Sequence, residues 1–166
     1  PLPAAILSEK GAGSFENNIF GRGQRYSGHA LGCAGALAAL EVLVDDGLLQ
    51  EVASKGAYLE SKLRSIAANH PCVGDVRGVG LFYTMELVAD HDSKTPLRKT
   101  TEKYTRTIIK DISDFLFREK NVYVPSDKFG IWVVPPLIVT ESEMDWFCEA
   151  IDEALDLVDK TLSAGK

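Results

Sequence analysis

The chain has 166 residues, of which 45% are hydrophobic and 25% charged, and its formal net charge is −6. These proportions are typical of a globular protein with its own core, and the acidic balance excludes a nonspecific nucleic-acid binder, which needs a basic surface. Three cysteines without a CxxC pair favour neither a disulfide framework nor a metal site, and no apolar run reaches the length of a membrane-spanning helix.

The first segment is predicted to be a short strand followed by a long loop. The apolar run 4–8 indicates the strand, and the glycine- and asparagine-rich stretch 9–24 indicates the loop. Ordered loops of this length are uncommon unless they have a function. Because Pro1 stands inside strand-like sequence, we expect an N-terminal portion of the same polypeptide to precede it.

A candidate phosphate site follows at residues 25–30, Arg-Tyr-Ser-Gly-His-Ala, before a small-residue helix predicted over 29–44. A helix N-terminus favours anions, because its first N–H groups are unpaired and the helix dipole is positive there. Arg25 would add a two-pronged charged contact. The local alternative is that Ser27 only caps the helix and that Arg25 is a solvated loop charge. His29 is assigned to packing or capping, because no acidic partner stands at helical spacing.

The rest of the chain predicts helices around a small sheet. A helix at 48–68 carries one apolar stripe, and a composition shift near Val73 marks the start of an α+β layer. The second predicted strand should bury Leu81, Tyr83, Met85 and Leu87 on one face. The predicted elements after Val73 are strands at 73–79, 80–88, 121–125 and 130–134, a polar loop at 89–99, and amphipathic helices at 104–119 and 141–162.

Several side chains in this half have predicted structural roles. Thr140 and Glu143 stand at the spacing of a capping box and should start the last helix. Arg77 is expected to form an ion pair with Asp75 or Glu86, with an active-site role as the alternative. Buried positions are predicted for Trp132, Trp146 and the three cysteines, and solvent-exposed loop positions for His70 and His91.

Three segments together resemble the class III aminotransferases, which include the ω-amino acid–pyruvate transaminases. The family patterns T-Y-S-G-H-P-x-x-C-A-A-A-L, V-x-D-V-R-G-x-G-L and S-P-P-L-I-I-T-E are similar to residues 26–37, 73–81 and 134–141. The match of the second segment continues into Met85-Glu86-Leu87-Val88. Order and spacing also fit, and the resemblance covers nearly the whole chain.

The resemblance implies an α/β fold. The chain would comprise the end of the fold type I PLP-transferase large domain and a C-terminal α+β small domain, with a short, mainly antiparallel sheet covered by helices. Residues 1–47 would end the large domain and include its interface loop and helix. Residues 48–72 would be an interdomain helix and 73–166 the small domain.

The function implied is that of a PLP-dependent transaminase, which moves an amino group from an amine or ω-amino acid to a keto acid such as pyruvate. Its cofactor is pyridoxal 5'-phosphate. The Schiff-base lysine is expected upstream of Pro1, so no catalytic residue is assigned here and this segment alone should be inactive. The alternatives are a same-fold aminomutase or decarboxylase, and a non-catalytic α+β binding or assembly module. A cytoplasmic homodimer or tetramer is expected, with no nucleic-acid, membrane or metal partner.

The resemblance also indicates site residues. The family's threonine before Y-S-G-H contacts the cofactor phosphate of the neighbouring subunit, and here Gln24 and Arg25 stand at this point, so both are expected to bind that phosphate. A substrate carboxylate or solvent is the other possible target of Arg25. Val124 occupies the place of an arginine that pairs with substrate carboxylates in many ω-transaminases. Weaker carboxylate binding is therefore expected, with Tyr123, Lys128 or Arg25 as compensating contacts.

Overall fold

The computed structural model describes residues 7–19, 21, 27–45, 47–97 and 108–164. The chain forms two compact units, Pro1–Gly47 and Leu48–Lys166. Within these described ranges, no helix is both long enough and apolar enough to cross a membrane.

The first unit contains two helices, α1 over Glu9–Gly13 and α2 over Ala30–Asp45. The Oγ atom of Ser8 accepts a hydrogen bond from the N–H of Gly11 at 3.2 Å and thereby caps α1. The prediction of a continuous loop over 9–24 was therefore wrong for its first five residues. Most of the predicted strand 4–8 lies outside the described residues, whereas α2 matches its prediction to within one residue at each end.

The second unit is a four-stranded antiparallel sheet with three helices. Strand β2 is central: it pairs with β1 along one edge and with β3 and β4 along the other. The predicted small, antiparallel sheet is confirmed. The elements are α3 Leu48–Asn69, β1 Val73–Val79, β2 Phe82–Asp90, β3 Thr95–Pro96, α4 Ile108–Glu119, β4 Gly130–Val133 and α5 Glu141–Ala164.

The β1–β2 hairpin turns at Gly80 and Leu81, so the predicted second strand begins two residues later than expected. Gly80 has a φ of +58°, which glycine adopts without strain at the first position of a tight hairpin turn. The predicted inward face of β2 is confirmed, since Leu81, Tyr83, Met85 and Leu87 are all at most 5% exposed. Phe82 points the other way and is exposed.

One predicted strand and one predicted loop of the second unit were wrong. Residues 121–125 form no strand, because Asn121 leaves α4 with a φ of +56° and Pro125 has no N–H to donate to a neighbour. The connection makes backbone hydrogen bonds from the N–H of Val122 to the carbonyl of Leu116 at 2.9 Å and from the N–H of Trp132 to the carbonyl of Pro125 at 2.8 Å. The predicted loop 89–99 contains β3, whose two residues pair with the end of β2 at Val88 and Asp90.

The helices α3, α4 and α5 bury their apolar stripes in one core with the sheet. The last helix begins at the predicted capping box: the N–H of Thr140 donates to Oε2 of Glu143 at 2.8 Å, and the N–H of Glu143 donates back to Oγ1 of Thr140 at 3.3 Å. The fully buried side chains of the core include Leu59, Leu63, Met85, Leu87, Ile109, Leu116, Ile131, Met144, Ile151 and Leu155.

Helix α3 touches the hairpin turn backbone to backbone. A Cβ atom added at Gly56 would lie 2.7 Å from the Cα and carbonyl oxygen of Gly80. On the other side, a Cβ at Gly80 would lie 3.3 Å from the side chain of Val52. The lack of a side chain at Gly56 therefore allows the helix and the turn to approach this closely.

Candidate functional site

The candidate phosphate segment leads into the start of α2. Gln24 and Arg25 lie outside the described residues, which resume at Ser27. Gly28 has a φ of +70°, and among the described residues no atom beyond its chain neighbours lies within 4 Å of the place where its Cβ would stand. Nδ1 of His29 accepts from the N–H of Gly32 at 3.4 Å, which confirms the predicted capping role.

The chemistry of this segment suits a phosphate group such as that of pyridoxal phosphate. Arg25 offers a guanidinium fork and Gln24 an amide donor. Residues 17–40 contain no aspartate or glutamate, so no carboxylate of this stretch would repel an anion. The donor set therefore fits the group.

Tyr123 and Val124 lie in the wall of one cavity of about 270 Å³ in the second unit. The two side chains differ in their exposure: Tyr123 is 75% exposed, whereas Val124 is 6% exposed and belongs to the core. A ligand here would therefore meet the ring of Tyr123 and only the edge of Val124. The full lining is Asn121, Val122, Tyr123, Val124, Val133, Val134, Pro135, Pro136, Val139, Glu143, Trp146 and Phe147.

The cavity contains no cationic side chain among the described residues that line it. Its one charged group is Glu143, and the backbone N–H and then the hydroxyl of Thr140 hold the pKa of this carboxyl below its usual value. Lys128 does not line the cavity, and its ammonium lies 4.7 Å from the ring centre of Phe129. The walls are therefore suited to an apolar or aromatic group.

Trp146 is a wall residue that sequence reasoning missed. It was predicted in the core together with Trp132, but the two are 51% and 38% exposed. The signal was in the helical spacing, because Trp146 falls off the apolar stripe that Met144 and Phe147 begin. A large aromatic side chain off such a stripe is available to contact a ligand or another surface.

Arg77 forms both of the predicted ion pairs. Its Nη1 atom lies 2.6 Å from Oε2 of Glu86 and 2.9 Å from Oδ2 of Asp75, and these two carboxylates, Glu86 first, raise the pKa of the guanidinium. None of the three lines the cavity. The positive charge of Arg77 is therefore already paired with carboxylates of the hairpin, as predicted for a structural role.

The cysteine and histidine predictions were right in part. Cys72 and Cys148 are buried as predicted, and burial raises the pKa of the Cys148 thiol to about 12. Cys33 is exposed on α2, so that prediction was wrong. His91 is exposed as predicted, but His70 is 4% exposed and was wrongly placed in solvent.

Lys62 of α3 differs from a Schiff-base lysine. Its ammonium lies 2.7 Å from Oδ1 of Asp145 and also interacts with Tyr58, and these contacts, Asp145 first, raise its pKa above the ordinary value. A Schiff-base lysine needs the opposite, a lowered pKa that frees the amine as a nucleophile. Lys62 therefore serves as one side of a surface ion pair between α3 and α5.

The chain matches a known family over almost its whole length. The sequence model described as "Aminotransferase class-III" matches residues 1–155. Among curated relatives, the taurine–pyruvate aminotransferase of Rhodobacter capsulatus is 37% identical over 132 residues, which are 78% of this chain and 28% of that protein. The (R)-1-hydroxy-2-aminoethylphosphonate ammonia-lyase of Vibrio splendidus is 31% identical over 130 residues, which are 78% of this chain and 26% of that protein.

Solved structures agree with the sequence relatives. The PMP-bound form of an aminotransferase from Vibrio fluvialis superposes with a TM-score of 0.74 at 30% identity, covering 90% of this chain and 31% of that chain. The predicted fold class is thereby confirmed. The chain spans about a third of the length of the proteins it matches.

Proposed function

Because the chain belongs to the class III aminotransferases, we propose that the whole protein is a pyridoxal phosphate-dependent aminotransferase that moves an amino group from an amine or ω-amino acid to a keto acid such as pyruvate. The observation that carries this proposal is the family match over residues 1–155. The similarity to a taurine–pyruvate aminotransferase supports both the amine donor and the keto-acid acceptor. An aminomutase or decarboxylase of the same fold has no such support among the relatives described above.

Pyridoxal phosphate, when bound, supplies an electron-withdrawing ring that makes the substrate's carbon–hydrogen bond acidic. The residues of this chain bind and orient the cofactor and the amine donor. Arg25 and Gln24 hold the phosphate of the cofactor on the partner subunit of a homodimer. Two charge-assisted hydrogen bonds from Arg25 would fix the phosphate's orientation as well as its position.

The cavity beside Tyr123 holds the organic part of the amine donor. Its walls are valine, proline and aromatic side chains, and no cation among the described lining residues pairs with a second carboxylate. An unpaired carboxylate placed there would lose its hydration without compensation. Tyr123 and Val124 therefore favour donors whose far end is apolar, and Trp146 adds an exposed ring to the same wall.

The wider organisation follows the family. Residues 1–47 end the large domain and contribute the interface loop and helix, residues 48–72 connect the domains, and residues 73–166 form the small domain. The N-terminal portion of the polypeptide supplies the Schiff-base lysine and most substrate contacts. A homodimer in the cytoplasm, without nucleic-acid or membrane partners, completes the proposal, and the three free cysteines are in keeping with a reducing compartment.

Full-length protein loaded with pyridoxal phosphate should produce alanine from pyruvate when an amine donor is supplied. The donors would run from apolar amines through taurine to dicarboxylic amino acids, with alanine measured by chromatography. We expect apolar donors to give kcat/KM values at least about tenfold above those of dicarboxylic donors, which is the cost of one unpaired carboxylate. Protein stripped of cofactor is the control.

A different outcome would identify a second function. The similarity to an ammonia-lyase shows that relatives at this distance include eliminating enzymes. If the loaded protein released ammonia from a donor and made no alanine at any pyruvate concentration, the aminotransferase proposal would be wrong. Equal use of apolar and dicarboxylic donors would instead contradict only the assignment of the cavity to the donor.

Arg25→Ala is expected to weaken cofactor binding by about 10- to 100-fold, because a charge-assisted hydrogen bond contributes about 1.5–3 kcal/mol. The dissociation constant would be measured by fluorescence titration of the full-length apoprotein with pyridoxal phosphate. Arg22→Ala removes a nearby charge and is the matched control, with a change of less than about threefold. If Arg25→Ala left the dissociation constant unchanged and raised the KM of the keto acid, Arg25 would bind the substrate carboxylate instead.

A further inference from the structure

His70 is held between two carboxylates of α5. It lies just after the last residue of α3 and three residues before β1. Its Nδ1 atom lies 2.7 Å from Oδ2 of Asp159 and its Nε2 atom lies 3.0 Å from Oδ1 of Asp152. The imidazole is 4% exposed, so these two contacts take the place of water. Both ring nitrogens therefore face an acceptor.

This geometry requires a proton on each ring nitrogen. A neutral imidazole has one N–H donor and one lone pair, whereas an imidazolium has two donors. An ionised carboxylate only accepts, so a lone pair on either nitrogen would face a carboxylate oxygen across less than about 3.2 Å, the outer limit of an ordinary hydrogen bond. The contact is favourable on both sides only when His70 is positively charged.

We propose that His70 acts as a proton-operated lock, which consists of the contact of its imidazolium with Asp152 and Asp159. While His70 carries its second proton, this contact holds α5 against the turn between α3 and β1. When that proton leaves, α5 can separate from the turn. Asp159 takes part at two points, because its Oδ1 atom also accepts from the N–H of Cys72 at 3.1 Å. The lock therefore connects the second half of α5 to the turn that leads into the sheet. It is independent of the activity proposed above.

The surrounding groups are compatible with a charged imidazole. The thiol of Cys72 is buried, and burial and then Asp159 raise its pKa, so it stays uncharged. Two cavities flank the pair, one beside each aspartate. The charged and titratable groups that line them are Asp90, His91 and Asp92 beside Asp159, and Lys62, Asp145, Cys148 and Glu149 beside Asp152.

A metal ion is a poorer occupant than a proton. Nδ1 of His70, Sγ of Cys72 and a carboxylate oxygen of Asp159 lie within 4.8 Å of one another. However, two tetrahedral ligands at the usual zinc distances are roughly 3.3 Å apart, whereas the observed separation between Nδ1 and Oδ2 is 2.7 Å. That distance is the distance of a charge-assisted hydrogen bond.

The lock should be closed below the folded-state pKa of His70 and open above it. Burial, the largest single influence, lowers the pKa of His70, but the hydrogen bonds and charges of Asp159 and Asp152 together raise it above the ordinary value. A histidine whose pKa is higher in the folded state stabilises the fold fully below its unfolded pKa of about 6.5. This contribution is lost as the pH rises through the folded-state pKa.

Hydrogen exchange of the full-length protein tests the lock, because mass spectrometry resolves the peptide that covers the end of α5. Between pH 6 and pH 9, after correction for the intrinsic exchange rate, we expect the protection of residues 152–164 to fall severalfold. In His70→Gln the protection should already be low at pH 6 and should not change with pH. His91→Gln, which alters an exposed histidine, is the control and should behave like the wild type.

A second variant keeps the test decisive if His70→Gln does not fold. Asp152 is half exposed, so Asp152→Asn should fold, and the loss of one carboxylate should move the midpoint of the protection profile to lower pH. A structural role without titration would leave that midpoint in place. A wild-type profile that does not depend on pH, or protection that rises on addition of Zn²⁺ to the wild type but not to His70→Gln, would overturn the proposal.

Discussion

Gly130→Ala is expected to disrupt the sheet of the second unit, with a loss of about 4 kcal/mol or more in the free energy of unfolding. Gly130 is the first residue of β4 and is paired with Glu86 of β2. A Cβ atom at this position would lie 2.0 Å from the carbonyl oxygen of Met85 and 3.1 Å from the Cα of Glu86. These are backbone atoms in the middle of the sheet, so they cannot move aside as the end of a flexible side chain can.

Differential scanning calorimetry of the full-length protein would measure this effect. We expect a fall of more than about 10 °C in the Tm of the transition that includes the second unit. Gly13→Ala is the matched control, because among the described residues no atom outside its own helix backbone and chain neighbours lies within 4 Å of the position its Cβ would take, and it should change the Tm by less than about 2 °C. A Gly130→Ala protein with the wild-type Tm would mean that β4 can shift along β2 without loss.

Leu155→Ala is expected to lower the free energy of unfolding by about 3 kcal/mol, because it leaves a cavity under α5. Leu155 is fully buried, whereas Leu157, two residues later on the same helix, is 45% exposed. Leu157→Ala makes the same chemical change with the same change in helix propensity, so it is a close control, and we expect it to cost about 1 kcal/mol or less.

Calorimetry of the two variants side by side would separate burial from propensity. The expected Tm shifts are about 10 °C for Leu155→Ala and about 3 °C for Leu157→Ala. Equal shifts would show that α5 is held by its own helical stability rather than by the core. A larger shift for Leu157→Ala would show that the exposed face of α5 is covered in the full-length protein.

The parts of the fold that follow from local spacing were predictable from the sequence. The capping box of Thr140 and Glu143 needs only a three-residue interval, and both of its hydrogen bonds are present. The pairing of Arg77 with Glu86 follows from a hairpin that turns at Gly80, because such a turn places the two on neighbouring strands. Short-range geometry fixes these contacts, so one chain segment is enough to infer them.

The environment of His70 was not predictable in the same way. Its partners Asp152 and Asp159 lie 82 and 89 residues further along the chain, and only the packing of α5 brings them near. A histidine between Asn69 and Pro71 is predicted from the sequence alone to lie in an exposed turn. Burial of a polar side chain depends on what covers it, and this information is distributed over the whole fold.

The errors at Trp146 and at residues 121–125 have a different origin. Tryptophan is usually well buried, but its position on the helix decides which way it faces, and Trp146 lies off the stripe. The run from Asn121 to Pro125 is rich in residues that favour strands, yet its first residue has a left-handed backbone and its last lacks a donor. In both cases the position of a residue in its element, rather than its residue type, decides the structure.

The contact between Gly56 and Gly80 couples two distant positions under mutation. A Cβ atom at Gly56 would press on the backbone of Gly80, and a Cβ atom at Gly80 would press on the side chain of Val52, which belongs to the same helix as Gly56. Once one glycine has been enlarged and the helix and turn have separated, enlarging the other adds less steric strain, although a side chain at Gly80 keeps the backbone strain of its φ of +58°, so the two effects should not be additive. Libraries that vary α3 and the hairpin independently would therefore misjudge which combinations the fold accepts.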